Sequence, residues 1–219
     1  MSQDTTPFRL FAVLGPWRGG TSLVTGVLQA LGAYVGDEFV DAETNYCTYE
    51  DVALRQACVQ GFDERPGTWN YKGTSEYRIT MLREWLDQVC LRAKSANAVA
   101  IAAKHPILCK LVDDMFHAWS VPNQVELTVV SVIRPAEAVH RSWTRPINAS
   151  GNHWWPRWDR IYVVDDLIGS RDRALADRPH VQIDFATLRD SPAETIRQLA
   201  TDCELPIDQL DQAIAMVRT

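Results

Sequence analysis

The residues best suited to chemistry begin at Gly15, where Gly-Pro-Trp-Arg-Gly-Gly-Thr-Ser separates two apolar patterns. Glycines let main-chain N–H groups approach an anion closely, and Arg18 places a positive charge inside the same segment. A helix that begins after the glycines would direct the partial positive charge of its N-terminus to the same point. The segment therefore predicts a phosphate site, with the binding residues Arg18, Gly19, Gly20, Thr21 and Ser22.

Two elements must hold this loop in place. Residues 10–14, Leu-Phe-Ala-Val-Leu, form a short apolar run that predicts a buried strand. After the loop, apolar residues recur at helical spacing until Gly32, where a helix would end; they are Leu23, Val24, Val27, Leu28 and Leu31. We therefore expect a strand, a glycine-rich loop and a helix in succession.

The spacing of the loop resembles G-x-x-x-x-G-K-[ST], the phosphate-binding loop of ATPases and GTPases. Gly15 and Gly20 match its two glycines and Ser22 its final hydroxyl, whereas Thr21 stands in place of the lysine. In those enzymes the lysine reaches the β- and γ-phosphates, and the hydroxyl binds Mg²⁺. The loop therefore suits a phosphate, but it lacks the lysine that is expected for binding a triphosphate with its metal ion.

A second candidate site lies within residues 126–143. Residues 127–133 are apolar and rich in β-branched side chains, which predicts a buried central strand. Arg134 follows directly, and Pro135 suits the first turn of a helix that would carry Ser142 two turns later. Since the carboxyl ends of parallel strands border the ligand crevice of open α/β sheets, we expect Arg134 and Ser142 to close on one phosphate.

Together, G-P-W-R-G-G-T-S-L and I-R-P-A-E-A-V-H-R-S resemble the two cofactor motifs of the sulfotransferase family. The resemblance implies that the first loop binds the 5′-phosphosulfate of 3′-phosphoadenosine 5′-phosphosulfate (PAPS). It also implies that Arg134 and Ser142, which have the family's spacing, bind the 3′-phosphate. Pro135 follows Arg134 directly, where the family usually has one acidic or amide residue in between. Sulfuryl transfer from PAPS uses no Mg²⁺, which is consistent with the missing lysine.

A third informative stretch ends in Lys104 and His105. Residues 98–103 predict another buried strand, which places both side chains at the same sheet edge as Arg18 and Arg134. The sequence K-H-P resembles the K-T-H-L-P and W-K-D-P-R patterns of sulfotransferases. This resemblance implies that Lys104 binds the phosphosulfate and that His105 is the general base, a role that an imidazole can fill at neutral pH.

The resemblance also implies in-line displacement at sulfur by an acceptor hydroxyl or amine. Arg18, Lys104 and the loop N–H groups would stabilise the charge on the leaving phosphate. Several branches of the family place a catalytic glutamate just after the first helix. Glu38 is the closest match by position and Glu50 is the other candidate, so the base is His105 or one of these glutamates.

Length and composition limit the remaining possibilities. The 219 residues suffice for one domain, 1–219, and we predict a three-layer α/β/α fold with a central, mostly parallel sheet. The net charge of −6 does not favour a nucleic-acid partner, because the basic footprint is missing. The 5 cysteines show no C-x-x-C pair and the 5 histidines no H-x-x-x-H spacing, so we expect reduced thiols and no metal site.

The first residues show no apolar leader core, and no run reaches about 18 apolar residues, so we expect a cytoplasmic protein without a membrane partner. The resemblance then implies a bacterial-type sulfotransferase that acts on a small metabolite or glycoside. Two alternatives stay open. One is a P-loop kinase or another nucleotide phosphotransferase that needs Mg²⁺. The other is a catalytically silent module of the same fold that binds 3′,5′-ADP.

Overall fold

The computed structural model describes residues 7–36, 38–41, 46–65, 67–120, 124–143 and 157–218, with the backbone alone for 38–41, 46, 47, 157–160 and 218. The described strands are β1 (Phe8–Leu14), β2 (Ala33–Tyr34), β3 (Glu38–Asp41), β4 (Tyr46–Asp51), β5 (Phe62–Asp63), β6 (Asn70–Tyr71), β7 (Ala100–Lys104), β8 (Val125–Ile133) and β9 (Val181–Asp184). The helices are α1 (Thr21–Ala30), α2 (Val52–Gly61), α3 (Ser75–Ser95), α4 (Val112–Trp119), α5 (Ala136–Trp143), α6 (Arg157–Leu175), α7 (Phe185–Asp190), α8 (Pro192–Asp202) and α9 (Leu210–Arg218), with a 3-10 helix at Pro106–Cys109. None of these helices is long and apolar enough to span a membrane.

Five of the described strands form the central sheet, in the order β2-β7-β1-β8-β9. Every neighbouring pair is parallel, so their carboxyl ends meet at one edge. At that edge Val13 of β1 lies beside Lys104 of β7, and Leu14 lies beside Ser131 of β8. The predicted α/β fold with a central parallel sheet is confirmed, and the loop after β1 emerges between the ends of β7 and β8.

Helices cover both faces of the sheet because side chains alternate along each strand. Leu10, Ala12 and Leu14 of β1 pack against buried residues of α3, α4 and α6. Phe11 and Val13 point the other way and pack against α1, α8 and α9. A parallel sheet buried on both sides explains why β1 reads as a continuous apolar run rather than an alternating one.

The same alternation decides where two predicted site residues fall. Ala102 of β7 and Val132 of β8 belong to the cluster on the α1 face. Lys104 and Arg134 each come two residues later, so they fall on the α1 face as well. The two cations therefore share a face with the helix whose N-terminus follows the glycine-rich loop.

The segment after α1 contains β2, which extends the central sheet, and the hairpin of β3 and β4. Asp51 at the end of β4 fixes this hairpin to α3. Its buried carboxylate accepts hydrogen bonds from Trp85 Nε1 at 2.5 Å and from Arg92 Nη2 at 2.8 Å. Because consecutive strand residues point to opposite sides, anchoring Asp51 directs Glu50 the other way, toward β7.

Candidate functional site

The loop after β1 is a tight turn that leads into α1. Arg18 and Gly20 both have left-handed backbone conformations, with φ of 62° and 96°. The N–H of Gly19 donates to the Pro16 carbonyl at 2.9 Å. Gly20 is the N-cap of α1 and provides no side-chain cap. The first turn of α1 therefore has no side-chain acceptor from its cap, which suits its N–H groups to an external anion.

Lys104 reaches this loop from the neighbouring strand β7. Its Nζ donates to Ser22 Oγ at 3.2 Å, to the Thr48 carbonyl at 3.1 Å and to Glu50 Oε1 at 2.6 Å. Ser22 Oγ in turn donates to the Thr48 carbonyl at 3.1 Å. Only 5% of the Lys104 side chain is exposed. An ammonium group thus lies beside the hydroxyl that would bind Mg²⁺ in an ATPase loop.

Glu50 is a buried carboxylate between two basic side chains. Its Oε1 forms the ion pair with Lys104, and its Oε2 lies 3.8 Å from Nε2 of His105. Burial raises the pKa of Glu50, but the adjacent charge of Lys104 and the hydrogen bond that Lys104 donates act in the opposite direction, and the pKa lies below its usual value of 4.5. Glu50 is therefore ionised at neutral pH and can accept a proton.

His105 is buried and both of its ring nitrogens have neighbours. Nδ1 accepts the N–H of Ile107 at 3.3 Å, which caps the 3-10 helix that starts at Pro106. Burial lowers the pKa of His105 to about 4, although the charge of Glu50 opposes this change. The neutral ring carries its proton on Nε2, toward Glu50, because Nδ1 is an acceptor. The proton on Nε2 and the acceptor contact of Nδ1 leave the base role of His105 a prediction, as is that of Glu50.

Arg134 approaches the loop from β8, on the other side of β1. Its Nη1 donates to the carbonyl of Arg18 at 2.7 Å. Its guanidinium carbon lies 4.6 Å from the centroid of the Phe185 ring. Lys104 and Arg134 therefore contact the loop from the two strands that flank β1, and Arg18 itself is exposed.

The two other predicted site residues, Glu38 and Ser142, lie on β3 and α5. Glu38 is on β3, where its backbone pairs with Asp51, and its side chain lies outside the described residues. Ser142 is half-buried on the last turn of α5. The catalytic role of Glu38 and the phosphate contact of Ser142 stay predictions.

Trp17 of the loop belongs to an aromatic cluster. Its ring centroid lies 6.1 Å from that of Trp69, 6.0 Å from that of Trp143 and 6.3 Å from that of His105. Trp69 Nε1 donates to Asp166 of α6 at 2.7 Å. The cluster therefore connects the glycine-rich loop to α5 and α6, on the face of the sheet that packs against α3, α4 and α6.

Sequence reasoning gave no site role to Trp17, to the Thr48 carbonyl or to the Phe185 ring. A main-chain carbonyl has no sequence signal at all. The partners of Trp17 come from distant parts of the chain, so their spacing also gives no signal. Phe185 did offer one, because it follows the apolar strand β9 and therefore lies at the carboxyl edge of the sheet.

Of the charged site residues predicted from the sequence, the structure brings Arg18, Lys104, Arg134 and Glu50 to this edge. Within the described ranges, no three or more His, Cys, Asp or Glu side chains are grouped so that they could hold a metal ion. The cysteines that the structure describes with side chains, Cys58, Cys90, Cys109 and Cys203, are free thiols.

The sequence matches no protein-family model and no curated protein. In fold, the chain is similar to the sulfotransferase domain of the Synechococcus PCC 7002 olefin synthase, with a TM-score of 0.57 and 13% identity over 95% of this chain and 77% of that one. It is also similar to a sulfotransferase from Mycobacterium avium, with a TM-score of 0.55 and 11% identity over 96% and 67% of the two chains. A sulfotransferase from Mycobacterium tuberculosis gives a TM-score of 0.52 and 15% identity over 97% and 72%. The chain therefore has a sulfotransferase-like fold, as its two motifs predicted.

Proposed function

We propose that this protein is a sulfotransferase that moves the sulfuryl group of PAPS to a hydroxyl or amine of a small-molecule or glycoside acceptor. One observation carries the proposal: cations from the two strands that flank β1 contact the glycine-rich loop on either side. Lys104 donates to Ser22 Oγ at 3.2 Å, and Arg134 donates to the Arg18 carbonyl at 2.7 Å. PAPS carries two separate anionic groups, each of which needs charged donors of this kind.

The residues present fit the two ends of this donor. The loop N–H groups, Arg18, Ser22 and Lys104 would hold the 5′-phosphosulfate, and Arg134 with Ser142 would hold the 3′-phosphate. Bound PAPS supplies the sulfuryl group. Preorganised donors such as Lys104 and Arg18 stabilise the charge that develops on the leaving phosphate, with each good donor contributing about 3–4 kcal/mol.

The reaction forms a bond between the acceptor oxygen or nitrogen and sulfur, and breaks the bond between sulfur and the 5′-phosphate oxygen. The electron pair of the broken bond stays on the phosphate, which leaves as part of 3′,5′-ADP. Glu50, which is ionised at neutral pH, would take the acceptor proton in this proposal. His105 is neutral, and its Nε2 lies 3.8 Å from Glu50 Oε2, which is too far for a direct hydrogen bond.

The contact between Lys104 and Ser22 disfavours the alternative of a Mg²⁺-dependent kinase. In P-loop kinases the corresponding hydroxyl binds the metal ion. Here the Lys104 ammonium lies 3.2 Å from that hydroxyl, where it would repel a divalent cation. A donor that needs no metal is compatible with this arrangement.

Arg134→Ala is expected to raise the Kd for 3′,5′-ADP about 10- to 100-fold, since a hydrogen bond to a charged group contributes about 1.5–3 kcal/mol. The Kd for 5′-AMP, which lacks the 3′-phosphate, should stay near the wild-type value. Calorimetric titration of both nucleotides measures these constants. Arg189→Ala removes an exposed arginine of α7 and is the matched control. A wild-type Kd for 3′,5′-ADP in Arg134→Ala would contradict the proposed 3′-phosphate site.

Gly20→Ala is expected to weaken the binding of both nucleotides by at least about tenfold. A Cβ at this position would lie 2.1 Å from the Phe185 ring, and the φ of 96° is unfavourable for alanine. The loop or the ring must therefore move, and the N–H groups of the loop lose their common direction. Titration with 5′-AMP isolates this effect from the 3′-phosphate. Unchanged 5′-AMP binding would contradict a role of the loop in holding the 5′-phosphate.

A further inference from the structure

We propose that Phe185 is a positioning residue that makes the site select a 3′-phosphorylated nucleotide, by holding the guanidinium of Arg134 against the glycine-rich loop. The inference rests on the proposed function, because it concerns the end of the donor that Arg134 would bind. Four features of the described residues carry it, namely strand register, the ring contact, the position of the ring and the turn that follows β9.

Strand register makes the two residues neighbours. In the parallel pair of β8 and β9, Ile133 lies beside Asp184. Arg134 directly follows the end of β8 and Phe185, the first residue of α7, directly follows the end of β9, so both emerge side by side at the carboxyl edge of the sheet. The two residues are far apart in the sequence, and they become neighbours only because β8 and β9 pair in parallel.

Two contacts then fix the plane and direction of the guanidinium. The Phe185 ring lies beneath it, with 4.6 Å between the guanidinium carbon and the ring centroid. The Arg18 carbonyl accepts the Nη1–H at 2.7 Å. A cation above an aromatic face is stabilised, and a flat group held at two points keeps little freedom to rotate.

The ring is itself firmly placed. A Cβ at Gly20 would lie 2.1 Å from Phe185, so the ring packs directly against the glycine that begins α1. The backbone beside it is fixed by Asp184, whose Oδ1 accepts the Thr187 N–H at 2.7 Å and the Thr187 hydroxyl at 2.9 Å. Phe185 therefore spans the space between the loop for the 5′-phosphate and the arginine for the 3′-phosphate.

The test is the ratio of the Kd for 5′-AMP to the Kd for 3′,5′-ADP, measured by calorimetry. Phe185→Leu keeps an apolar side chain but removes the aromatic face, and it should lower this ratio roughly three- to tenfold by weakening 3′,5′-ADP alone. Phe185→Tyr keeps the ring and should retain the wild-type ratio. In an Arg134→Ala background, Phe185→Leu should have no further effect on the ratio, because the group that the ring positions is gone.

The outcomes separate the two claims. A wild-type ratio near one would overturn the proposed 3′-phosphate site and this inference with it. If the wild-type ratio is high and Phe185→Leu leaves it unchanged, the inference alone is overturned. This includes the case in which Phe185→Leu weakens the binding of both nucleotides equally. Equal weakening would mean that the ring only supports the loop. Thermal unfolding of each variant distinguishes a local change from a loss of folded protein.

Discussion

Lys104→Met is expected to lower the free energy of unfolding by about 3–5 kcal/mol, because it leaves the charge of Glu50 buried without its partner. The two side chains are 5% and 8% exposed, and 2.6 Å separates Nζ from Oε1. The same variant should bind 3′,5′-ADP at least about tenfold more weakly, through loss of a charged donor at the 5′-phosphate. Denaturant unfolding and calorimetry measure the two effects separately.

The double variant Lys104→Met/Glu50→Gln is the matched control, because it removes both members of the ion pair. Its free energy of unfolding should recover most of the loss, since no unpaired charge stays buried. Its affinity for 3′,5′-ADP should not recover. A double variant that regains wild-type affinity together with its stability would show that Lys104 supports the fold and does not bind the nucleotide.

His105→Asn is expected to remove much of the pH dependence of stability between about pH 4 and pH 6.5. In the folded protein burial lowers the pKa of His105 to about 4 from the ordinary value of 6.5. Between these values the unfolded chain binds a proton that the folded protein does not. The contribution of neutral His105 to the free energy of unfolding is therefore complete above pH 6.5 and is lost as the pH falls toward 4. The free energy of unfolding changes by about 3 kcal/mol over this range.

The asparagine is chosen because its Oδ1 can still accept the Ile107 N–H, as Nδ1 of His105 does at 3.3 Å. Urea unfolding at a series of pH values gives the slope for each protein. His180→Asn changes an exposed histidine and is the control, with the wild-type slope expected. If His105→Asn retained the wild-type slope, the histidine would not be buried in its neutral form.

Local patterns predicted the two motifs and the element that carries each of them. The apolar run before Gly15 and the helical spacing after it define a strand, a loop and a helix without any tertiary information. The positions of Lys104 and Arg134 followed from one further rule, that parallel strands end at a common edge. These inferences depend on near neighbours in sequence, and the structure agrees with them.

The environment of the candidate catalytic residues was not predictable in the same way. Glu50 was one of two candidate glutamates after α1, and its ion pair with Lys104 spans 54 positions of the chain. That contact depends on Asp51, which anchors the hairpin to α3 and so directs Glu50 toward β7. Single-residue chemistry favoured His105 as a base, whereas its burial and its bond to Ile107 depend on tertiary packing.

The most direct test of the account is calorimetric titration of the wild-type protein with 3′,5′-ADP, 5′-AMP and ATP, each in EDTA and again in excess Mg²⁺. We predict that 3′,5′-ADP binds without metal, more tightly than 5′-AMP, and with an affinity that Mg²⁺ does not improve. Binding of ATP that requires Mg²⁺, together with no preference for the 3′-phosphate, would contradict the proposed sulfotransferase and favour a kinase.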